Sequence, residues 1–178
     1  MIEISNSKTP ANKRDIISVT VIGLGNMGQA LAAAYLAAGY SVSVWNRTAG
    51  KADQLVSNGA IQFETAAEAI AASHMIVVCL STYEVARNLL FPLDKEIDNR
   101  VITNLNTGTP VAARLLDAWA KEKGINYLDG AIMAIPPMIG TEEALILYSG
   151  RKELFDAYQS VLEVMGGSTT YLSEDSGV

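Results

Sequence analysis

The sequence is poor in the residues that build disulfides and metal sites. It contains one histidine, His74, and one cysteine, Cys79, among 178 residues. A single cysteine cannot form an internal disulfide, which favours a protein of a reducing compartment. A single histidine has no second histidine with which to share a metal ion. We therefore expect no metal site, a structural role for His74 and a cytoplasmic location.

Positive charge is also scarce. The chain has 13 lysines and arginines against 19 aspartates and glutamates, so its net charge is −6. Nucleic-acid-binding domains present a basic surface to the phosphates, so this balance argues against nucleic acid as a partner. A local cationic pocket for one phosphate is still compatible with it. The hydrophobic fraction of 49% predicts a folded globular domain.

The longest segment without a charged residue covers residues 16–46, and four glycines interrupt it. A membrane helix of that length would be apolar throughout, so we interpret the segment as a buried strand, helix and strand, and expect no membrane partner. Residues 1–15 are polar, show no periodicity and lack the apolar core of a signal peptide. They are predicted to form a flexible leader.

Strand and helix patterns alternate through residues 16–172. The predicted strands are 16–22, 41–45, 60–63, 75–80, 101–105, 125–133, 144–149 and 168–172. The predicted helices are 26–38, 51–57, 65–72, 83–90, 110–123 and 152–165. Such alternation predicts an α/β domain of the Rossmann type, with a doubly wound, mainly parallel sheet and helices on both faces. The short spacing of the last strands allows antiparallel pairing among them.

A glycine motif, Gly23-Leu24-Gly25-Asn26-Met27-Gly28, joins the first predicted strand to the first helix. In dinucleotide-binding domains the first glycine permits the tight turn, the second lets the pyrophosphate approach the backbone, and the third lets helix and sheet pack closely. Free N–H groups at the helix start then bind the phosphates. The motif predicts a dinucleotide site; the alternative is a tight turn without a ligand.

The second predicted strand ends in Asn46-Arg47-Thr48. NAD-selective sites place an acidic residue near this point, which binds the ribose hydroxyls and would repel a 2′-phosphate. Asn46 removes that repulsion, Arg47 offers a planar donor group for phosphate, and Thr48 adds a hydroxyl. Lys51 is a second candidate cation. The sequence therefore favours NADP(H), although the segment could also be a solvated loop.

Four segments resemble one protein family. They are residues 21–28 (VIGLGNMG), 44–48 (VWNRT), 104–110 (NLNTGTP) and 130–140 (GAIMAIPPMIG). Together they are similar to the β-hydroxyacid dehydrogenase superfamily, which has a 6-phosphogluconate dehydrogenase-like NAD-binding domain, and most of all to its imine reductase branch. The resemblance extends over residues 18–177. The glycine motif occurs in many families, whereas the last two segments are far more specific.

The resemblance implies a Rossmann domain followed by a long helix and a helical C-terminal domain that is exchanged in a homodimer. Residues 173–178 are then expected to begin the connecting helix, with the proton donor beyond Val178, so no catalytic residue is assigned. Family members contact the cofactor around the end of the apolar strand predicted at 75–80, which here points to Cys79, Leu80 and Ser81. Asn106, Thr107 and Thr109 could face the nicotinamide or the substrate, where amide and hydroxyl groups orient polar atoms. Thr109 could equally cap a helix, as could Ser81 and Thr82.

The resemblance also offers a way to distinguish substrates. Hydroxyacid dehydrogenases of this superfamily have paired glycines in the segment that corresponds to the one after Asp129 in this sequence. The amides of those glycines bind the substrate carboxylate. Here Pro136 and Pro137 occupy that segment, and proline has no N–H to donate. Met133, Ile135 and Met138 would form an apolar wall beside these prolines, unless the methionines are ordinary core residues. The expected substrate is a small molecule with a C=N bond.

The sequence is compatible with three functions. The leading hypothesis is NADPH-dependent reduction of an imine to an amine, with this chain as the cofactor-binding domain. The second is an NAD(P)-dependent 3-hydroxyacid dehydrogenase, against which the proline pair argues. The third is a non-catalytic NADP-binding module.

Overall fold

The computed structural model describes residues 18–178, so the predicted leader at 1–15 lies outside the described residues. The strands are β1 (Ser18–Ile22), β2 (Ser41–Trp45), β3 (Ile61–Gln62), β4 (Met75–Val78), β5 (Val101–Asn104), β6 (Asn126–Met133), β7 (Leu145–Gly150) and β8 (Ser168–Ser173). The α-helices are α1 (Asn26–Ala37), α2 (Asp53–Ser57), α3 (Ala66–Ala71), α4 (Tyr83–Leu90), α5 (Asp94–Ile97), α6 (Pro110–Lys123) and α7 (Lys152–Leu162). Short 3₁₀ helices cover Phe91–Leu93 and Pro136–Met138.

All the strands form one eight-stranded sheet in the order β3-β2-β1-β4-β5-β6-β7-β8. β1 to β6 run parallel, β7 runs antiparallel to β6, and β8 runs parallel to β7. The strand order changes direction between β1 and β4, and ligands of such sheets bind at the carboxyl ends of the strands at this point. The prediction of a doubly wound, mainly parallel sheet is confirmed.

The sheet is covered on both faces, and β4 shows how. Met75 and Val77 belong to one apolar cluster, Ile76 and Val78 belong to the other, and all four side chains are fully buried. Alternate residues of a strand point to opposite faces, so a strand without polar residues is required here. Helices α1 and α7 cover the first face, and α3, α4 and α6 cover the second.

Threonines cap the helices that follow β3, β4 and β5. The hydroxyl of Thr82 accepts a hydrogen bond from Val85 N–H (3.2 Å), and that of Thr109 accepts one from Ala112 N–H (3.3 Å). Thr65 caps α3 in the same way. The capping interpretation of Thr82 and Thr109 is therefore confirmed.

Several predicted boundaries were too long. β4 ends at Val78 and not at residue 80, because the Leu80 N–H bonds to the Asn106 side chain and not to a neighbouring strand. Helix α7 ends at Leu162 and not at residue 165, because the carbonyl of Leu162 accepts a hydrogen bond from the N–H of Met165, three residues later, as in a 3₁₀ turn. Helix α5 was missed, since four residues carry too little periodicity.

The predicted start of a helix at 173–178 is not seen. Ser173 is the last residue of β8, and a turn follows at residues 176–177. The Asp175 carboxylate accepts bonds from the Arg114 guanidinium on α6 (2.9 and 2.7 Å) and from Gly177 N–H (2.9 Å), which holds the backbone in a turn. These bonds lower the pKa of Asp175 to about 2. No helix within residues 18–178 is long and apolar enough to cross a membrane.

Candidate functional site

A cleft of about 640 Å³ opens at the carboxyl ends of β1, β2 and β4. Its walls are the glycine motif, the end of β2, the loop after β4 and one side of α4. The lining residues are Gly23, Gly25, Asn26, Met27, Gly28, Trp45, Asn46, Arg47, Thr48, Cys79, Leu80, Ser81, Val85, Asn88 and Leu89.

The three glycines of the motif have different surroundings. A Cβ at Gly23 would lie 2.3 Å from the Cys79 carbonyl oxygen, and Gly23 has a φ of +96°, which disfavours any side chain. A Cβ at Gly28 would lie 1.9 Å from the Gly23 carbonyl oxygen. At Gly25, in contrast, no described atom lies within 4 Å of that position. Gly23 and Gly28 are therefore needed for packing, while Gly25 leaves open space in front of the helix.

That open space lies at the positive end of α1. The first intrahelical bond joins Gln29 N–H to the Gly25 carbonyl (2.9 Å), so the N–H groups of Asn26, Met27 and Gly28 have no acceptor within the helix. Among the described residues, no side chain caps this end, in contrast to α3, α4 and α6. A phosphate group fits here, because it would accept bonds from these amides and lie in the favourable field of the helix dipole.

Asn46 connects the glycine motif to the end of β2. Its Oδ1 accepts a hydrogen bond from Leu24 N–H (2.9 Å), and its Nδ2 donates one to the Thr48 carbonyl (2.9 Å). Leu24 itself is buried in the core, and its carbonyl accepts a bond from the Gln29 side chain (3.0 Å). Asn46 and Leu24 therefore organise the cleft from within, a role that the sequence pattern does not reveal.

Arg47 and Thr48 lie at the mouth of the cleft and are exposed. Among the described residues, none forms an ion pair or a hydrogen bond with the Arg47 guanidinium, so its donors are available to a ligand. Lys51 is also exposed and precedes α2, but it does not line the cleft.

The residues predicted near the nicotinamide divide into two groups. Cys79, Leu80 and Ser81 line the cleft, and burial raises the pKa of the Cys79 thiol to about 11, so this thiol is not a nucleophile at neutral pH. Asn106 is buried; its Oδ1 accepts a bond from Leu80 N–H, and its Nδ2 donates to the Thr82 carbonyl (3.4 Å). It joins two loops. Thr107 is exposed and does not line the cleft.

The predicted substrate wall lies outside this cleft, along the end of β6 and the 3₁₀ helix that follows it. Met133 is 59% exposed, so the alternative that it is an ordinary core residue is wrong, and Ile135 is 62% exposed. Pro136 borders a groove of about 630 Å³ that it shares with the alanines of α1, and Pro137 and Met138 complete the 3₁₀ helix. A wall for a substrate remains a prediction for these residues.

One wall of the cleft, formed by α4, was not predicted from the sequence. Val85, Asn88 and Leu89 line it from α4. Residues three and four apart share one side of a helix, so a spacing signal exists for these three. It could not be used without knowing which side of α4 faces β1.

His74 lies at the amino end of β4, at the sheet edge opposite the cleft. Its Nε2 lies 2.9 Å from the Tyr158 hydroxyl, and burial, with the Arg100 charge, lowers its pKa. Within residues 18–178, no three His, Cys, Asp or Glu side chains are grouped as metal ligands would be. These contacts fit the structural role expected of His74.

The sequence also matches a known protein family. Residues 18–173 match the family described as the NAD-binding domain of 6-phosphogluconate dehydrogenase. The chain belongs to this family. Like other NAD-binding domains, it presents a glycine turn and an uncapped helix end at the carboxyl edge of the sheet.

Three relatives show how the family domain occurs in longer proteins. An NADPH-dependent reductive aminase of Aspergillus oryzae is 42% identical over 89% of this chain and 54% of its own length. An imine reductase from Myxococcus stipitatus in complex with NADP+ is 42% identical over 90% of this chain and 56% of that one (TM-score 0.88). A reductive aminase from Aspergillus terreus in complex with NADPH4, cyclohexanone and allyl amine is 40% identical over 91% and 56% (TM-score 0.83). The chain thus spans about half of each relative.

The glycine surroundings lead to a paired prediction. We expect Gly25→Ala to change the free energy of unfolding by less than about 1 kcal/mol, because its methyl group enters open space. It should weaken dinucleotide binding about tenfold or more, because that methyl group displaces the phosphate from charge-assisted hydrogen bonds. Gly28→Ala should instead cost about 1–3 kcal/mol of stability through overpacking.

Urea unfolding and fluorescence titration measure the two quantities for both variants. Equal loss of stability in Gly25→Ala and Gly28→Ala, or full dinucleotide affinity in Gly25→Ala, would contradict these assignments.

Proposed function

We propose that this chain binds NADP(H) in the cleft and is the cofactor-binding domain of an enzyme that reduces C=N bonds to amines. One observation carries the proposal. The open space at Gly25 and the available guanidinium of Arg47 line the same cleft, on either side of the Leu24–Asn46 hydrogen bond. A dinucleotide with an additional phosphate on its adenosine ribose needs one phosphate site at the glycine turn and a second one near the end of β2.

The preference for NADP(H) is argued from charge. The end of β2 presents the neutral Asn46 where NAD-selective domains have a carboxylate, and Asn46 is held by its bonds to Leu24 and Thr48. A 2′-phosphate therefore meets no fixed negative charge at this residue. Arg47 can bind it with two parallel N–H groups, a stronger arrangement than a single ammonium contact.

The chemistry comes from the cofactor, which supplies the hydride when it is bound. The glycine turn and Arg47 of this chain would hold its phosphates, and the loop after β4 would lie beside its nicotinamide. Cys79 and Asn106 are poor proton donors, because burial makes the Cys79 thiol a weaker acid and both polar groups of the Asn106 amide are bonded to the backbone. The proton donor is proposed to lie in the remainder of the enzyme.

The backbone after β6 supports an imine over a hydroxy acid. Pro136 and Pro137 have no N–H, and the next two amides are already bonded, Met138 N–H to Ile135 O (2.9 Å) and Ile139 N–H to Pro136 O (3.2 Å). A carboxylate would find no cradle of free amides in this turn. The exposed apolar side chains of Met133 and Ile135 suit a hydrophobic or cyclic imine instead. The names of the three relatives support the same class of substrate.

The organisation of the whole enzyme is part of the proposal. Since the chain spans about half of its relatives, we propose a second, helical domain that closes the cleft and is exchanged in a homodimer. We also propose a cytoplasmic location, which the single cysteine favours. The exposed apolar residues Met133 and Ile135 provide a surface that such a domain would cover.

Cofactor preference is tested by titrating the chain with NADPH and NADH. We expect NADPH to bind more tightly, and Arg47→Ala to remove about tenfold or more of that preference, because it deletes a charge-assisted contact with the 2′-phosphate. Arg87→Ala is the matched control, since Arg87 is also exposed but faces the groove between α4 and α6. Equal affinities for NADPH and NADH in the chain without substitutions would contradict a 2′-phosphate site at Arg47. An equal loss of the NADPH preference in Arg47→Ala and Arg87→Ala would contradict it as well.

The reaction is tested with the full-length enzyme. We expect NADPH consumption with a cyclic imine, and little NADP+ reduction with a 3-hydroxy acid, because the turn after β6 has no free amides for a carboxylate. The isolated chain should bind NADPH but turn over slowly. Faster oxidation of the hydroxy acid, or rapid imine reduction by the isolated chain, would overturn this part of the proposal.

A further inference from the structure

A carboxylate is buried at the carboxyl end of the sheet, outside the cleft. Asp129 on β6 is only 6% exposed. It accepts hydrogen bonds from the Tyr83 hydroxyl (2.7 Å), the Tyr127 hydroxyl (2.6 Å) and the Asn104 amide (3.0 Å). Burying a carboxylate is costly unless its oxygens are well bonded, so these three donors are what makes its position tolerable. The proposed function does not use any of these four residues.

The three donors come from different parts of the fold. Tyr127 lies on β6 itself, two residues from Asp129, and Asn104 ends the neighbouring strand β5. Both are held by the sheet whether or not they contact the carboxylate. Tyr83 is different, because it is the first residue of α4 and directly follows the loop of residues 79–82 that lines the cleft.

Tyr83 is also fixed by close packing. A Cβ at Gly108, in the loop after β5, would lie only 2.3 Å from the Tyr83 ring. Asn106 in that same loop accepts the hydrogen bond from Leu80 N–H. Leu80 in turn touches the glycine motif, because its Cδ2 lies 2.8 Å from the Cβ position of Gly23. Contacts therefore run without interruption from Asp129, through Tyr83 and the 79–82 loop, to the phosphate-binding turn.

We propose that Asp129 and Tyr83 are positioning residues for cofactor binding: the Tyr83–Asp129 hydrogen bond holds the 79–82 loop in the place where it forms the cleft wall. Tyr127 donates to the same carboxylate from β6, and within residues 18–178 it has no hydrogen bond to that loop, so its hydroxyl serves only the stability of the sheet. The inference rests on the proposed binding of NADP(H) in the cleft.

The two tyrosines provide a matched test. Tyr83→Phe and Tyr127→Phe each delete one hydroxyl that bonds to Asp129, and both side chains are buried, at 8% and 3% exposure. We expect both variants to unfold at lower urea concentration. Only Tyr83→Phe should weaken NADPH binding, by about fivefold, the equivalent of one hydrogen bond. Only Tyr83→Phe should also speed the hydrogen exchange of the Leu80 amide, measured without cofactor.

The hydrogen-exchange measurement tests the positioning of the 79–82 loop independently of NADPH binding. If the protein without substitutions fails to bind NADPH, the proposed function is wrong. Faster exchange of the Leu80 amide in Tyr83→Phe alone would still support positioning of the loop. Equal exchange rates in the two variants, or equal effects on affinity, would overturn the inference. Should Tyr83→Phe fail to fold, Gly108→Ala takes its place, because its methyl group displaces the Tyr83 ring without removing the hydroxyl; unchanged loop exchange in that variant would also overturn it.

Discussion

The backbone at Gly23 is the point at which the parts of the cleft meet. Its N–H donates to the Trp45 carbonyl (2.9 Å), which ties the turn to β2. Its Cα faces the Cys79 carbonyl, and its own carbonyl faces Gly28, in both cases so closely that no side chain could be added. Because this contact fixes where α1 starts, it determines where the free amides of the helix point. The phosphate site depends on a close approach of backbone to backbone.

Around this contact the cleft is built by amide side chains. Asn46 joins the glycine turn to the mouth of the cleft, and Asn106 joins the loops after β4 and β5. Each uses both its oxygen and its nitrogen within the protein. The charged and hydroxyl groups offered to a ligand, on Arg47 and Ser81, lie on exposed loops that these amides hold. Residues that shape the site and residues that would contact the cofactor are thus distinct.

The fold was predictable from local pattern because the spacing of apolar residues in each strand and helix follows from the faces that it buries. Unbroken apolar residues such as Met75–Val78 are required of a strand covered on both faces, and the glycine motif placed the first turn. The ends of elements were less predictable. Where β4 ends depends on the bond from Leu80 N–H to the Asn106 side chain, which lies 26 residues away in the sequence.

The site was predictable only in part, for the same reason. The motif residues and Arg47 carry a local signature, and the structure brings them together in one cleft. The buried bond between Tyr83 and Asp129 joins residues 46 positions apart, and no spacing rule links a tyrosine at a helix start to an aspartate on a strand two places along the sheet. Asn106 was predicted as a site residue, but only the three-dimensional structure shows its bonds to the backbone.

Nuclear magnetic resonance of the uniformly ¹⁵N-labelled chain, titrated with NADPH, would show where the dinucleotide binds. We expect the largest amide shifts on Asn26, Met27 and Gly28, where the phosphates should accept hydrogen bonds. The start of α7 is an internal control, because among the described residues no side chain caps that helix either, yet it lies at the opposite edge of the sheet. Shifts spread equally over both helix starts, or absent from residues 26–28, would contradict the claim that this glycine turn is the dinucleotide site.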